Sequence, residues 1–231
     1  MSAPDWLSIL RYLLLGTFPH GPLGGVALTI VLTLSSAVLS ALFGLAGGIM
    51  LVMTRGGVHL LLLVIVGFFR AIPVLMLIFW TFFLMPVLLH VDVPGIATVV
   101  CALALIGGAY LSHSVQAGIA AIGEGQWQAA QSLGMTRGQA LRHVMLPQAV
   151  RVMMPSFINQ WVSLIKDTSL AYIVGVQEFT FLANQVNSRL MVYPAQIFLF
   201  VGFVYLVLCC TFQWGVTRLL KRLGDARPDS R

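Results

Sequence analysis

Three ionisable side chains stand where few are tolerated. Arg70 separates the uncharged runs 56–69 and 71–91, and Lys166-Asp167 falls near the middle of a largely apolar stretch over 155–176. An ionised group at membrane depth costs about 3 kcal/mol, so it faces a partner or a watery path rather than lipid. Asn159, Ser163 and Lys166 or Asp167 recur at i, i+4 and i+7 or i+8, which places them on one helical face. Thr168 and Ser169 extend the polar stretch, and Arg70 leads into a break at Pro73 where unwound backbone needs a hydrated lining. The chemistry such a set supports is noncovalent: hydrogen bonds and charge to a polar solute in passage. A purely structural Lys166–Asp167 pair is the alternative, but adjacent helical residues diverge and pair poorly.

A second polar segment, EGQWQAAQSLGMTRGQALRHVMLP from Glu124 to Pro147, lies between apolar spans and therefore belongs in water beside the bilayer. Gln126 to Leu133 reads as one short helix, with Gly134 ending it in the left-handed conformation. Thr136 is placed to cap a second helix that stops near Pro147. The two helices make a compact knob, rigid enough to transmit force.

The elements that must carry these residues follow from composition. The 231 residues are 9% charged, with a mean hydropathy of +0.95; soluble domains carry roughly a quarter charged residues. Residues 12–54, 93–123 and 190–217 contain no Asp, Glu, Lys or Arg, and about 20 apolar residues cross a bilayer. The chain is therefore an all-α integral membrane protein forming a single domain over 1–231. The net charge of +6 is spread over span ends, which writes topology and argues against a nucleic-acid partner. Cys101, Cys209 and Cys210 lie inside spans with no metal-like spacing.

In chain order, residues 1–20 form an interfacial helix anchored by Trp6 and Tyr12 and broken at His20-Gly21-Pro22. Spans are expected at about 23–53, 58–90, 93–117, 155–176 and 194–217, with a short outer helix within 177–193. The 58–69 half of the second is about 18 Å of helix, too short to cross alone. Val58–His90 is therefore read as one tilted span kinked at Pro73. Placing Arg55, Arg137, Arg142, Arg151 and the basic tail 218–231 inside gives five spans, N-terminus out and C-terminus in, with Asp92 and Arg189 outside. Gly44, Gly47 and Gly48 with Ser35, Ser36 and Ser40 suit close helix packing, although such residues are common in membrane helices generally.

Gln128-Ala129-Ala130, Gly134 after three further residues, then Val144, Leu146 and Pro147 resemble the EAA coupling loop of ABC importer permeases, with Gln128 for the usual Glu and Val144 for the usual Ile. FRAIPVLM and KDTSLAYIVG resemble second- and fourth-span motifs of the polar amino acid branch, the histidine, glutamine and glutamate permeases. The likeness runs from Gly24 to Leu223. It implies a type I permease core in the bacterial inner membrane, with ATPase coupling through Glu124, Gln128, Ala129, Ala130, Gly134, Leu146 and Pro147. It further implies a cytoplasmic ATPase dimer carrying ATP and Mg, a second permease and a periplasmic binding protein. Asp167 is expected near a ligand's amino group, and Arg70 suits a carboxylate. After Gly-Ala-Tyr the family has a Glu and, three residues on, an Arg; here His113 and Gln116 stand instead, so a structural ion pair is lost, and His113 is assigned no site.

The chain has no G-x-x-x-x-G-K-[ST] loop, so ATP must be hydrolysed by another protein. Neither H-E-x-x-H nor G-x-S-x-G occurs, which argues against a membrane enzyme. A secondary transporter or channel has no use for such a loop, and no inverted repeat of broken spans is present. The FRAIP motif and third span resemble members moving glutamate and aspartate; a basic or neutral polar amino acid is the alternative.

Overall fold

In the computed structural model, residues 6–90, 93–190 and 194–225 are described, and among them the structure is helical. The helices are α1 (Trp6–Leu15), α2 (Gly25–Met53), α3 (Gly56–Ala71), α4 (Val74–Phe79), α5 (Met85–Leu89) and α6 (Gly95–Ala120). They continue as α7 (Glu124–Ser132), α8 (Arg137–Ala140), α9 (Leu146–Asp167), α10 (Phe179–Leu190) and α11 (Pro194–Asp225). Two π-helical turns, Trp80–Leu84 and Leu141–Met145, and a 3-10 turn, Thr168–Val174, join neighbouring helices. The only β pairing among the described residues is two isolated bridges, Gly16 with Leu23 and Gly25 with Glu178. Asp92, the 191–193 end of the outer stretch, the anchoring Trp6 side chain and the last six residues of the tail lie outside what is described.

Among the described residues, three helices are long and apolar enough to cross a membrane: Gly25–Met53, Gly95–Ala120 and Pro194–Leu220. Several of their hydroxyls bond back within the helix, whereas the buried Ser36 hydroxyl has no partner among the described residues. Thr33 donates to the Thr29 carbonyl at 2.8 Å, Ser112 to Gly108 at 2.8 Å and Thr211 to Val207 at 2.7 Å. Such bonds let polar side chains sit in apolar helices without an orphaned group.

Two expectations change in this frame. Val58–His90 is a broken pair rather than one kinked span: α3 ends at Ala71, Ile72 is extended (φ −78°, ψ 133°), and a new helix starts after Pro73. Proline forces its predecessor out of the α region, so a clean break replaces the kink. The helix expected to carry the fourth span begins well before 155: α9 starts at Leu146, runs 22 residues to Asp167 and tightens into the 3-10 turn beyond. Its Arg151, Asn159, Gln160, Lys166 and Asp167 keep it below the hydropathy of the other three.

The chain divides into two compact units. One holds residues 1–36, 74–103 and 161–231. Its core is Leu13, Val26, Phe179, Leu182, Ala183, Val186 and Val201, drawn from α1, α2, α10 and α11. Tyr12 of α1 donates its hydroxyl to Gln185 of α10, which holds the N-terminal helix in place.

The other unit holds residues 37–73 and 104–160. Here the glycines of α2 are a packing requirement. A Cβ at Gly44 would collide with Leu111, one at Gly47 with Ser112 and one at Gly48 with Val115, all on α6. The contact has no room for a methyl group, so α2 and α6 meet almost backbone to backbone. Leu51, Val66 and Ala109 form a small core beside it. Gly44→Val or Gly48→Val should cost about 1–3 kcal/mol by overpacking. Thermal unfolding of the purified protein should show a lowered midpoint for both. Gly67→Ala, which meets nothing within 4 Å, should leave it unchanged.

Candidate functional site

The polar knob forms as the residue types dictate. Glu124 sits in the first turn of α7, where a carboxylate suits the helix dipole. Beyond Ser132 the chain turns at Gly134, whose φ of +80° is a left-handed conformation that a side chain would disfavour. Thr136 then makes a full capping box: its hydroxyl accepts the Gln139 amide, and Gln139 Oε1 accepts the Thr136 amide at 2.9 Å. Arg137 lies over the Trp127 ring, 5.8 Å from its centroid, and so ties α8 to α7.

The knob's inner and outer faces differ from expectation. Ala130, read as an outward contact, is 3% exposed on α7, which packs against α8 and the following turn, where Ala140, Leu141 and Met145 are buried too. Ala129, Gln128, Glu124 and Gly134 are exposed. Leu133 is 79% exposed, an apolar side chain at the tip of an otherwise polar projection. Sequence reasoning passed over it, although a leucine just before a turn glycine in a polar loop was the available signal.

Nor does the second helix stop near Pro147. A proline lacks an amide and its ring crowds the carbonyl four residues back. The π-helical turn Leu141–Met145 widens the backbone just ahead of it, and Gln148 Nε2 donates to the Val144 carbonyl at 2.8 Å. Helix therefore continues from Arg137 to Asp167, with Leu146 and Pro147 inside it.

The polar residues expected at membrane depth fall in both units. Arg70, Pro73 and Asn159 are exposed members of one. There the Arg70 guanidinium lies 5.2 Å from the Tyr110 ring centroid, and the Tyr110 hydroxyl donates to the Arg70 carbonyl at 3.3 Å. The tyrosine thus braces the last turn of α3 at the break. On α6, His113 is hydrogen-bonded by Gln116, so the neutral pair at i, i+3 is linked.

In the other unit, Lys166 is exposed, and Ser163, Asp167 and Ser169 are half-buried. Thr168, expected on the polar face, is fully buried and donates its hydroxyl to the Ile165 carbonyl at 2.7 Å. The 3-10 winding after Asp167 rotates it inward, so it cannot line a path.

Sequence reasoning also passed over Glu178. It follows the 3-10 turn, lies outside the span-length helices and is fully buried. Its carboxylate accepts the Thr180 and Phe181 amides at 2.8 Å each and the Tyr205 hydroxyl at 3.0 Å. Burial pushes its pKa up to about 7, against the lowering effect of those donors. Its acidic side chain just ahead of a helix was the available signal.

Thr136→Ala should loosen the knob by about 1 kcal/mol through loss of the cap. Limited proteolysis of intact membranes should cut within 132–145 faster in the variant, with other sites unchanged.

Comparison with known proteins places this architecture. Residues 41–225 match the family described as binding-protein-dependent transport system inner membrane component. The glutamate/aspartate import permease protein GltK of Escherichia coli O6:H1 is 31% identical over 226 residues, covering 94% of this chain and 97% of that protein. The probable glutamine ABC transporter permease protein GlnP of Bacillus subtilis (strain 168) is 33% identical over 165 residues, covering 71% and 75%. The L-cystine transport system permease protein TcyB of the same organism is 33% identical over 186 residues, covering 80% and 79%. Among solved structures, a chain of an amino acid ABC transporter crystallised with histidines superposes with a TM-score of 0.79 at 26% identity, covering 96% of this chain and all of that one. A chain of the MetNI methionine ABC transporter shares the fold at a TM-score of 0.75 and 19% identity. Membership brings with it an ATPase partner, which carries out ATP hydrolysis, and a second permease. The chain belongs to the binding-protein-dependent transport system inner membrane components, the permease subunits of ABC importers.

Proposed function

We propose that this permease moves a polar amino acid inward across the inner membrane, with glutamate and aspartate as the favoured substrates. Likeness to GltK along nearly the whole of both chains supports that substrate class. Arg70, an exposed cation at a helix break, supplies a planar bidentate donor for a carboxylate. Relatives named for glutamine and cystine at similar identity favour a neutral polar amino acid as the second reading.

The observation that carries the importer mechanism is the capped, glycine-turned knob with Leu133 bare at its tip. A leucine held in water on a rigid projection has its hydrophobic contact in another protein. Docked in a groove of the ATPase, Leu133 with Ala129, Gln128, Glu124 and Gly134 passes ATP-driven closure into the spans. The ATPase pair holds the ATP and Mg, and a periplasmic binding protein delivers the solute. The knob and the basic C-terminal residues face the cytoplasm, and the N-terminus lies outside. Counting the broken α3–α5 stretch once, α2, α6, α9 and α11 complete five crossings. Arg70 and Asn159 of one unit, and Ser163, Lys166, Asp167 and Ser169 of the other, are the polar groups offered to the solute.

The test is uptake of labelled glutamate by cells lacking this protein, with and without a plasmid copy. Plasmid-dependent uptake should be competed by unlabelled aspartate and not by arginine. Competition by glutamine alone selects the neutral reading. Leu133→Glu should lower uptake at least about tenfold while the amount of protein in the membrane stays normal, since burying a charge in a docked interface costs well over 1.4 kcal/mol. Arg70→Ala should raise KM for glutamate; unchanged kinetics would remove Arg70 from the path.

A further inference from the structure

Glu178 is the meeting point of four segments of one compact unit, and the importer mechanism makes no use of it. Its two carboxylate oxygens take the first free amides of α10, from Thr180 and Phe181. Its residue also bridges to Gly25 at the start of α2, beside a bond from the Gly25 amide to the Gln177 carbonyl at 2.9 Å. Thr29 of α2 accepts the Phe179 amide at 3.2 Å. From α11, Tyr205 donates its hydroxyl to the carboxylate and meets Thr180 Oγ1 at 2.9 Å. Through Gly175 and Val176 the same point holds the end of the 168–174 turn, where the Val176 amide donates back to Ala171.

Tyr205 has one proton, and it goes to Glu178; the Thr180 hydroxyl therefore donates to Tyr205. The order is Thr180 to Tyr205 to Glu178, ending on an anion. Among the described residues no Arg, Lys or His acts on this carboxylate. The facing groups are the Tyr205 phenol from α11, the uncharged Thr29 from α2, and Thr180 with two amides from α10. The cation of α10, Arg189, stands at the opposite end of that helix. A buried carboxylate held by dipoles alone, with no counter-charge, is poised between two states. Once protonated it can donate to the tyrosine, and the chain of hydroxyl bonds reverses.

We propose that Glu178 is a positioning residue: by gaining or losing one proton its carboxyl resets how firmly α10 and the 168–174 turn are seated against α2 and α11, and so tunes transport through the segment that follows Asp167. The transport clause rests on the proposed function; the clasp itself does not. The sign follows from burial. Released from the clasp, Glu178 titrates near its ordinary 4.5, and in it near 7. Between those values the seated form holds more protons, so it is firmest at acid pH and weakens as pH rises towards 7, levelling off above.

Hydrogen exchange of the purified full-length protein, corrected for intrinsic rates, tests this without any substrate, so its failure is distinct from failure of the transport reading. Protection of the first-turn amides of α10, Thr180 and Phe181 among them, should fall by roughly a hundredfold from pH 5 to 7.5. Amides in the middle of α6 should not follow. Glu178→Gln should abolish the slope and keep protection at pH 7.5 at or above that of the wild type. Tyr205→Phe, which takes a donor from the carboxylate, should move the transition to higher pH. A flat wild-type profile, a Glu178→Gln profile that still slopes, or an unmoved midpoint in Tyr205→Phe each overturns the clasp. In cells, the pH profile of uptake should flatten in Glu178→Gln with KM and kcat read separately; a profile parallel to the wild type overturns the link to transport.

Discussion

A backbone in lipid has no water to bond with, and that constraint shapes nearly every feature of this chain. Helices that cross must satisfy each amide and carbonyl internally. The long uncharged runs therefore become α2, α6 and the apolar part of α11, with several Ser and Thr hydroxyls folded back onto carbonyls one turn away. Where the backbone is allowed to break, something else has to hold it. At Ile72–Pro73 the last turn of α3 is braced by the Tyr110 hydroxyl. At 175–178 the break is closed by a side chain, Glu178, and by the amides and hydroxyls around it. These two non-helical points are thus each tied by named groups.

The same constraint sorts polar residues by purpose. In the polar 124–147 segment the chain spends polar groups on local geometry: the Thr136–Gln139 box and the Gly134 turn fix the shape of the knob. Along the largely apolar helices, exposed Arg70, Asn159 and Lys166 remain as polar surface. The contrast between Ala129 and Ala130 is instructive. Two identical neighbours on one short helix do different things, the first on the surface and the second filling the seam that makes the knob one body. Replacing the buried alanine would damage the shape of the knob before its contact with any partner.

Local signals were the legible ones. Gly134, Thr136 and the Arg70–Pro73 break all act within one turn of chain, and each lies where its residue type directs. What the sequence hid depends on residues far apart. Glu178 is buried because α2 and α11 bring Thr29 and Tyr205 to it, across 149 and 27 positions of sequence, and no local pattern announces that. Thr168 turns inward because the helix tightens after Asp167, a change of pitch that side-chain spacing read at 3.6 residues per turn does not anticipate. Pro147 misled for a related reason: a proline ends a helix only if the preceding turn cannot widen, and here it does.

That widened turn has a consequence for how the protein can vary. A π-helical turn is one residue more than an α-helix needs for the same advance. Each residue gained or lost turns everything beyond it by about 100° around the helix axis. The helix from Arg137 to Asp167 carries the knob at one end and Asn159, Ser163 and Lys166 near the other. Leu141–Met145 is thus a phase setting between them. Substitutions along this rod are local events, but a single deletion within the turn would re-aim one end against the other, so drift in this segment has to proceed by exchange of side chains at constant length.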